Sequence, residues 1–93
     1  MAADRARVHI TVSGRVQGVF FRRAAADEAA SLGVAGFARN LNDGSVEIVA
    51  EGPRASLEVL VGWAHTGPRH ARVDKIRTEW GLDRAEFVGF EVR

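Results

Sequence analysis

The 93-residue chain contains no cysteine. That absence excludes a disulfide framework, thiolate chemistry and cysteine ligation of a metal. It leaves the compartment unmarked by redox, although small secreted domains usually carry disulfides. A charge excess is missing as well: 13 basic residues stand against 12 acidic ones, a formal net charge of +1. A dedicated nucleic-acid binder normally shows a clear basic surplus, so no nucleic-acid partner is expected. Long apolar runs are absent too. The opening MAADRARV holds no hydrophobic stretch and reads as no signal peptide. No segment approaches the ~18–20 apolar residues of a membrane span, so no membrane partner is expected either. These absences point to a cytoplasmic protein, with residues 1–5 loosely ordered. Metal-ligand spacing is also missing. His9, His65 and His70 are scattered and the acidic residues are dispersed, so no metal is expected.

What is present is ordinary for a globular domain: 46% hydrophobic and 27% charged residues. The length fits one domain over residues 1–93 with one modest core. Val8, Ile10 and Val12 alternate with polar residues and predict a half-buried strand, interrupted at Gly14. An alanine-rich segment from Phe21 to Leu32 carries Ala25, Ala29 and Leu32 on one face and predicts a helix closed by Gly33. Val34 to Leu41 is a weaker strand. Asn42-Asp43-Gly44 is turn chemistry and predicts a hairpin with the strand carrying Val46, Ile48 and Ala50. Gly52-Pro53 opens a second helix, with proline at its first position and Leu57, Leu60, Val61 and Ala64 on its buried face. Ala71 to Trp80 is extended, with charges that suggest a bulge. Phe87 to Val92 closes the chain as a strand with Val88, Phe90 and Val92 on one face. The order β-α-β, β-α-β plus a terminal strand predicts an α+β sandwich of the ferredoxin-like split βαβ type. Two helices should pack on one face of a four- to five-stranded, mainly antiparallel sheet.

The stretch GRVQGVFFRR, Gly14 to Arg23, joins the first strand to the first helix. It is neither a P-loop, lacking the Gly-Lys-Ser/Thr ending, nor a dinucleotide fingerprint. Its position is suggestive all the same. Backbone N–H groups converge at a strand–helix junction and carry partial positive charge, which suits phosphate. Glycine at 14 and 18 permits backbone angles or close approaches that a side chain forbids. An arginine in the first turn leans back over the loop, and its planar fork matches two phosphate oxygens. Two arginines at a helix N-terminus oppose the macrodipole unless an anion sits there. The residues alone leave two readings open, an anion site and a plain strand–helix turn.

Gly14-x-Val16-Gln17-Gly18-Val19-x-Phe21-Arg22 resembles the signature of the acylphosphatases. A second segment of the family pattern follows at the expected place, Gly36-Phe37-Ala38-Arg39-Asn40 and Asp43-Gly44-Ser45-Val46. Glu51-Gly52-Pro53 and the closing Phe90-Glu91-Val92-Arg93 are also similar to family segments. The likeness runs from about Val8 to Arg93, and the length resembles the free-standing enzymes. It implies hydrolysis of a carboxyl–phosphate anhydride to carboxylate and orthophosphate. It implies Arg22 as the catalytic, phosphate-binding arginine and Asn40 as the residue that orients the attacking water. It implies further that backbone amides of Val16, Gln17, Gly18, Val19, Phe20, Phe21 and Arg22 cradle the phosphate, with no cofactor and no metal. The partner implied is a small acyl phosphate.

The inventory of the sequence agrees with that chemistry. An acyl phosphate expels a carboxylate, a weak base at neutral pH, so no general acid is required. Phosphoryl transfer is mostly positioning and charge stabilisation. Beside these residues, Arg23 reads as a solvated helix residue pairing with Asp27. Gln17 reads as a brace for the loop, Arg15 as exposed, and Asn42 as a turn former. Phe20 and Phe21 are both expected to pack beneath the loop. Trp63 and Trp80 read as packing residues. A ferredoxin-like ligand- or RNA-binding module without turnover is the main rival; its RNA-recognition version calls for exposed aromatics on central strands and a basic surface, and Val8 to Val12 offer no stacking residue. An inactive relative is a second rival, opposed by the intact Arg22 and Asn40. Nothing in the sequence signals an oligomer, and a monomer is expected.

Overall fold

The computed structural model describes residues 4–93. Five strands and two helices follow in the order β1 (Arg5–Arg15), α1 (Phe21–Leu32), β2 (Ala35–Asn40), β3 (Val46–Pro53), α2 (Arg54–Ala64), β4 (Arg72–Gly81) and β5 (Phe90–Val92). The sheet order is β4-β1-β3-β2-β5. β1 pairs antiparallel with β3 and β4, and β2 antiparallel with β3, whereas β5 joins β2 in parallel. Each helix thus links two parallel strands with one antiparallel strand between them, the split βαβ arrangement. The expected fold class holds.

The period-two pattern of β1 does what it predicts. Val8, Ile10 and Val12 are fully buried, facing Val46, Ile48 and Ala50 of β3 and the inner faces of both helices. α1 contributes Phe21, Ala25 and Ala29, and α2 contributes Leu57, Leu60 and Ala64. The small alanines let α1 lie close to the sheet. Gly33 closes α1 in the left-handed region at φ 71°, its N–H bonded back to the last turn. At the hairpin, Asp43 accepts from the backbone N–H and hydroxyl of Ser45, locking the turn.

Three expectations need correction. Loose order was expected through Arg5, but Arg5 opens β1 opposite Pro53; residues 1–3 lie outside the described residues. Pro53 ends β3 and caps α2 at φ −59°, ψ 133° rather than standing inside the helix. β3 is covered on both faces: Val49 and Glu51, on the face away from the helices, are buried as well. The segment 82–89 lies against that face, because the Glu51 carboxylate accepts the backbone N–H groups of Arg84 and Glu86, each at 2.9 Å. Finally, β5 is only three residues long, and Val88 is 98% exposed in the preceding loop. The suspected bulge in β4 is real. Ser13 pairs with Lys75 and Gly14 with Val73, which leaves Asp74 as the extra residue.

Candidate active site

Strand β1 runs through Gly14 to Arg15 and feeds a four-residue turn, 17–20, before α1 begins at Phe21. Gly14 is required by a close approach: a Cβ there would collide with the Arg72 carbonyl and the Asp74 nitrogen at the bulge. Gly18 is required by its backbone, at φ 76°. Beneath the turn, Val16, Val19 and Phe21 are buried. The Phe21 ring, 1% exposed, packs on Trp63 at 5.3 Å between centroids. Gln17 donates to the carbonyls of Leu41 and Ser45 at 2.8 and 2.9 Å, tying the turn to the β2–β3 hairpin. The loop is therefore held in shape by its own core and one polar brace, as the bracing role of Gln17 anticipates.

The backbone N–H groups of residues 17–23 donate to no other described residue. No side chain caps α1, and its first turn carries no acidic residue. Gly18, Phe20 and Phe21 of that row join Val16 in walling a cleft of about 270 Å³. Arg22, Arg23, Asn40 and Val92 complete its lining. Two cations and a row of unpaired N–H groups thus meet at one helix N-terminus, with no Asp or Glu side chain in the wall. Arg22 is half-buried and donates through Nη1 to the backbone oxygen of Arg93, the last residue of the sequence, at 2.6 Å. Arg23 is exposed, with Asp27 one turn on at 4.0 Å. It lines the cleft all the same, so it is not only the solvated helix residue expected.

Asn40 ends β2 beside the loop, opposite Val46. It is exposed on the cleft wall, at the base of the hairpin turn that occupies Asp43 and Ser45. Hydrogen bonds from the Ser45 hydroxyl and backbone hold the Asp43 carboxyl below its ordinary range, so this neighbour is an anion and no proton donor at neutral pH. Among the described residues, no three His, Asp or Glu side chains form a cluster able to hold a metal ion. No helix is long and apolar enough to cross a membrane.

The structure brings Arg22 and Asn40, far apart in sequence, to one cleft. It separates Phe20 from Phe21. Phe20 was expected beneath the loop but is 82% exposed. Its left-handed backbone, φ 63°, swings the ring outward onto the cleft rim while Phe21 turns in. Trp63 is half-buried and packs against the core, and Trp80 lies at the sheet edge under the Arg54 guanidinium at 4.0 Å. The sequence reading assigned no site role to Val92 or Arg93, which reach the cleft because β5 pairs in parallel with β2 and the Arg93 N–H bonds to the Ala38 carbonyl. The only signal for them was the family-like ending.

Fold and cleft define a split βαβ sandwich with a cationic strand–helix junction. A family model described as Acylphosphatase matches residues 8–92. An acylphosphatase of Anaeromyxobacter dehalogenans is 54% identical over 91 residues, 98% of each chain. The structure of an acylphosphatase from Coxiella burnetii superposes with a TM-score of 0.91 at 39% identity, covering 97% of this chain and 94% of that one. The acylphosphatase from Bacillus subtilis gives the same TM-score at 34% identity, over 95% and 98% of the two chains. The chain belongs to the acylphosphatase family. Acylphosphatase activity, the hydrolysis of acyl phosphates, comes with that membership.

Proposed function

We propose that the cleft hydrolyses acyl phosphates by in-line attack of water on phosphorus. Water adds as the bond from phosphorus to the acyl oxygen breaks. The carboxylate departs unprotonated, and the proton of the water stays with orthophosphate. Charge on the equatorial phosphoryl oxygens is met by the Arg22 guanidinium and by the backbone amides of residues 16–22. The Asn40 side-chain amide holds the water on the face opposite the leaving group. The observation that carries this reading is the meeting of unpaired N–H groups, Arg22 and Asn40 in one cleft. No side chain in the wall is suited to protonate a poor leaving group, which favours an anhydride over a phosphate ester.

In this reading Arg22 exchanges the backbone oxygen of Arg93 for phosphate oxygens, and its fork makes two parallel charge-assisted bonds. The test is hydrolysis of acetyl phosphate by the purified protein with chelator present. Turnover is expected to persist without added metal. Arg22→Gln and Asn40→Ala are each expected to lower kcat by about 10²–10³-fold or more, the scale of losing one preorganised donor at a charged transition state. Circular dichroism should report an unchanged fold, since both side chains lie on the cleft surface. An active Arg22→Gln variant overturns the mechanism.

A further inference from the structure

We infer that Phe20 determines which acyl group the enzyme prefers, by stacking on apolar, and above all aromatic, acyl phosphates. The inference rests on the hydrolytic reading of the cleft and adds the substrate class. Phe20 breaks two rules at once. It is a bulky non-glycine residue in the left-handed region, φ 63°, and its side chain is 82% exposed. Neither feature serves the fold. The ring packs on no described aromatic, and the residue caps α1 without a side-chain hydrogen bond. A glycine would adopt the same backbone without strain.

The ring's position gives both features a use. With the phosphate on the amides and Arg22, the leaving carboxylate points away from the attacking water, toward the mouth of the cleft. Phe20 stands on that mouth and Val92 is the other apolar group in its rim, itself partly exposed. The wall holds no acidic side chain and, apart from the two arginines and Asn40, only apolar side chains and Gly18. An acyl chain leaving the phosphate site therefore meets an aromatic face before it meets water, and a flat ring gains most from that contact. The left-handed backbone keeps the ring out of the core and at the mouth.

The experiment compares kcat/KM for benzoyl phosphate and acetyl phosphate in the wild type, Phe20→Gly and Phe20→Leu. The Phe20 amide is also part of the proposed phosphate cradle. The readout is therefore the benzoyl-to-acetyl ratio within each protein, in which any change to the cradle cancels. The ratio should fall about tenfold in Phe20→Gly, the scale of one desolvated aromatic contact, and by less in Phe20→Leu. The loss should lie mainly in KM for benzoyl phosphate. An unchanged ratio in both variants, with acetyl phosphate still turned over, overturns the role of Phe20 alone. A wild type that hydrolyses neither substrate overturns the hydrolytic reading instead.

Discussion

Gln17 shows how one residue joins the cradle to the rest of the molecule. Its two hydrogen bonds reach the carbonyls that flank the hairpin turn, so the loop and the strand end bearing Asn40 move as one unit. Gln17→Ala removes two hydrogen bonds but orphans neither carbonyl, since the Leu41 oxygen also accepts from the Gly44 N–H and the Ser45 oxygen from the Leu41 N–H. The expected cost is about 1–3 kcal/mol, read as a lower urea midpoint with unchanged m. It should also lower kcat on acetyl phosphate, because the water and the phosphate lose a common frame. Gln17→Glu should do worse, placing a charge where two carbonyls expect donors. The same scale holds the sharpest divergence between sequence and structure. Phe20 and Phe21 are adjacent and chemically identical, yet one is core and the other rim. Hydrophobicity alone places both inside; only the left-handed turn of a single residue separates them.

At the scale of elements, period and turn chemistry made most of the fold legible. β1, both helices, the 42–44 turn and the bulge in β4 are local features, and each is encoded by nearby residues. What failed was non-local. Glu51 alternates out of the core as a solvent-facing residue should, but a segment more than thirty positions later covers it. Burial raises the pKa of its carboxyl, but the N–H groups of Glu86 and Arg84 and the guanidinium of Arg7 outweigh that and hold it below the ordinary value. A depressed folded pKa contributes stability that is present above the unfolded value, about 4.3, and is lost as pH falls through the lower folded value. Stability of the wild type should therefore decline below about pH 4 as Glu51 takes up a proton. Glu51→Gln should be less stable at neutral pH and show a shallower acid decline, measured by urea denaturation from pH 7 to pH 3. An acid profile that Glu51→Gln leaves unaltered would show that the other carboxylates carry the dependence.

For the whole molecule, folding and phosphate binding are linked through the helix N-terminus. α1 begins with no cap and two cations, an arrangement that an anion relieves. Inorganic phosphate, the product, should bind the native state and raise Tm. At a phosphate concentration about tenfold above Kd the gain is about 1.4 kcal/mol, or roughly 6–10 °C for a domain of this size. Arg22→Gln should abolish most of that shift while chloride at equal ionic strength produces none of it. A shift that persists in Arg22→Gln would place the anion elsewhere.

The sequence by itself determined the elements, the helix-bearing face of the sheet and the glycine-bounded loop, because these follow from hydrophobic period and from backbone angles set within a few residues. It also held the motifs that resemble the family. The tertiary structure decided what lies close to what. It seats Asn40 beside Arg22, brings Val92 and Arg93 to the same cleft through a parallel edge strand, folds 82–89 over Glu51 and turns Phe20 to the rim. The physical reason is that sheet pairing and chain reversal act between residues distant in sequence, and no local pattern records the distance they close.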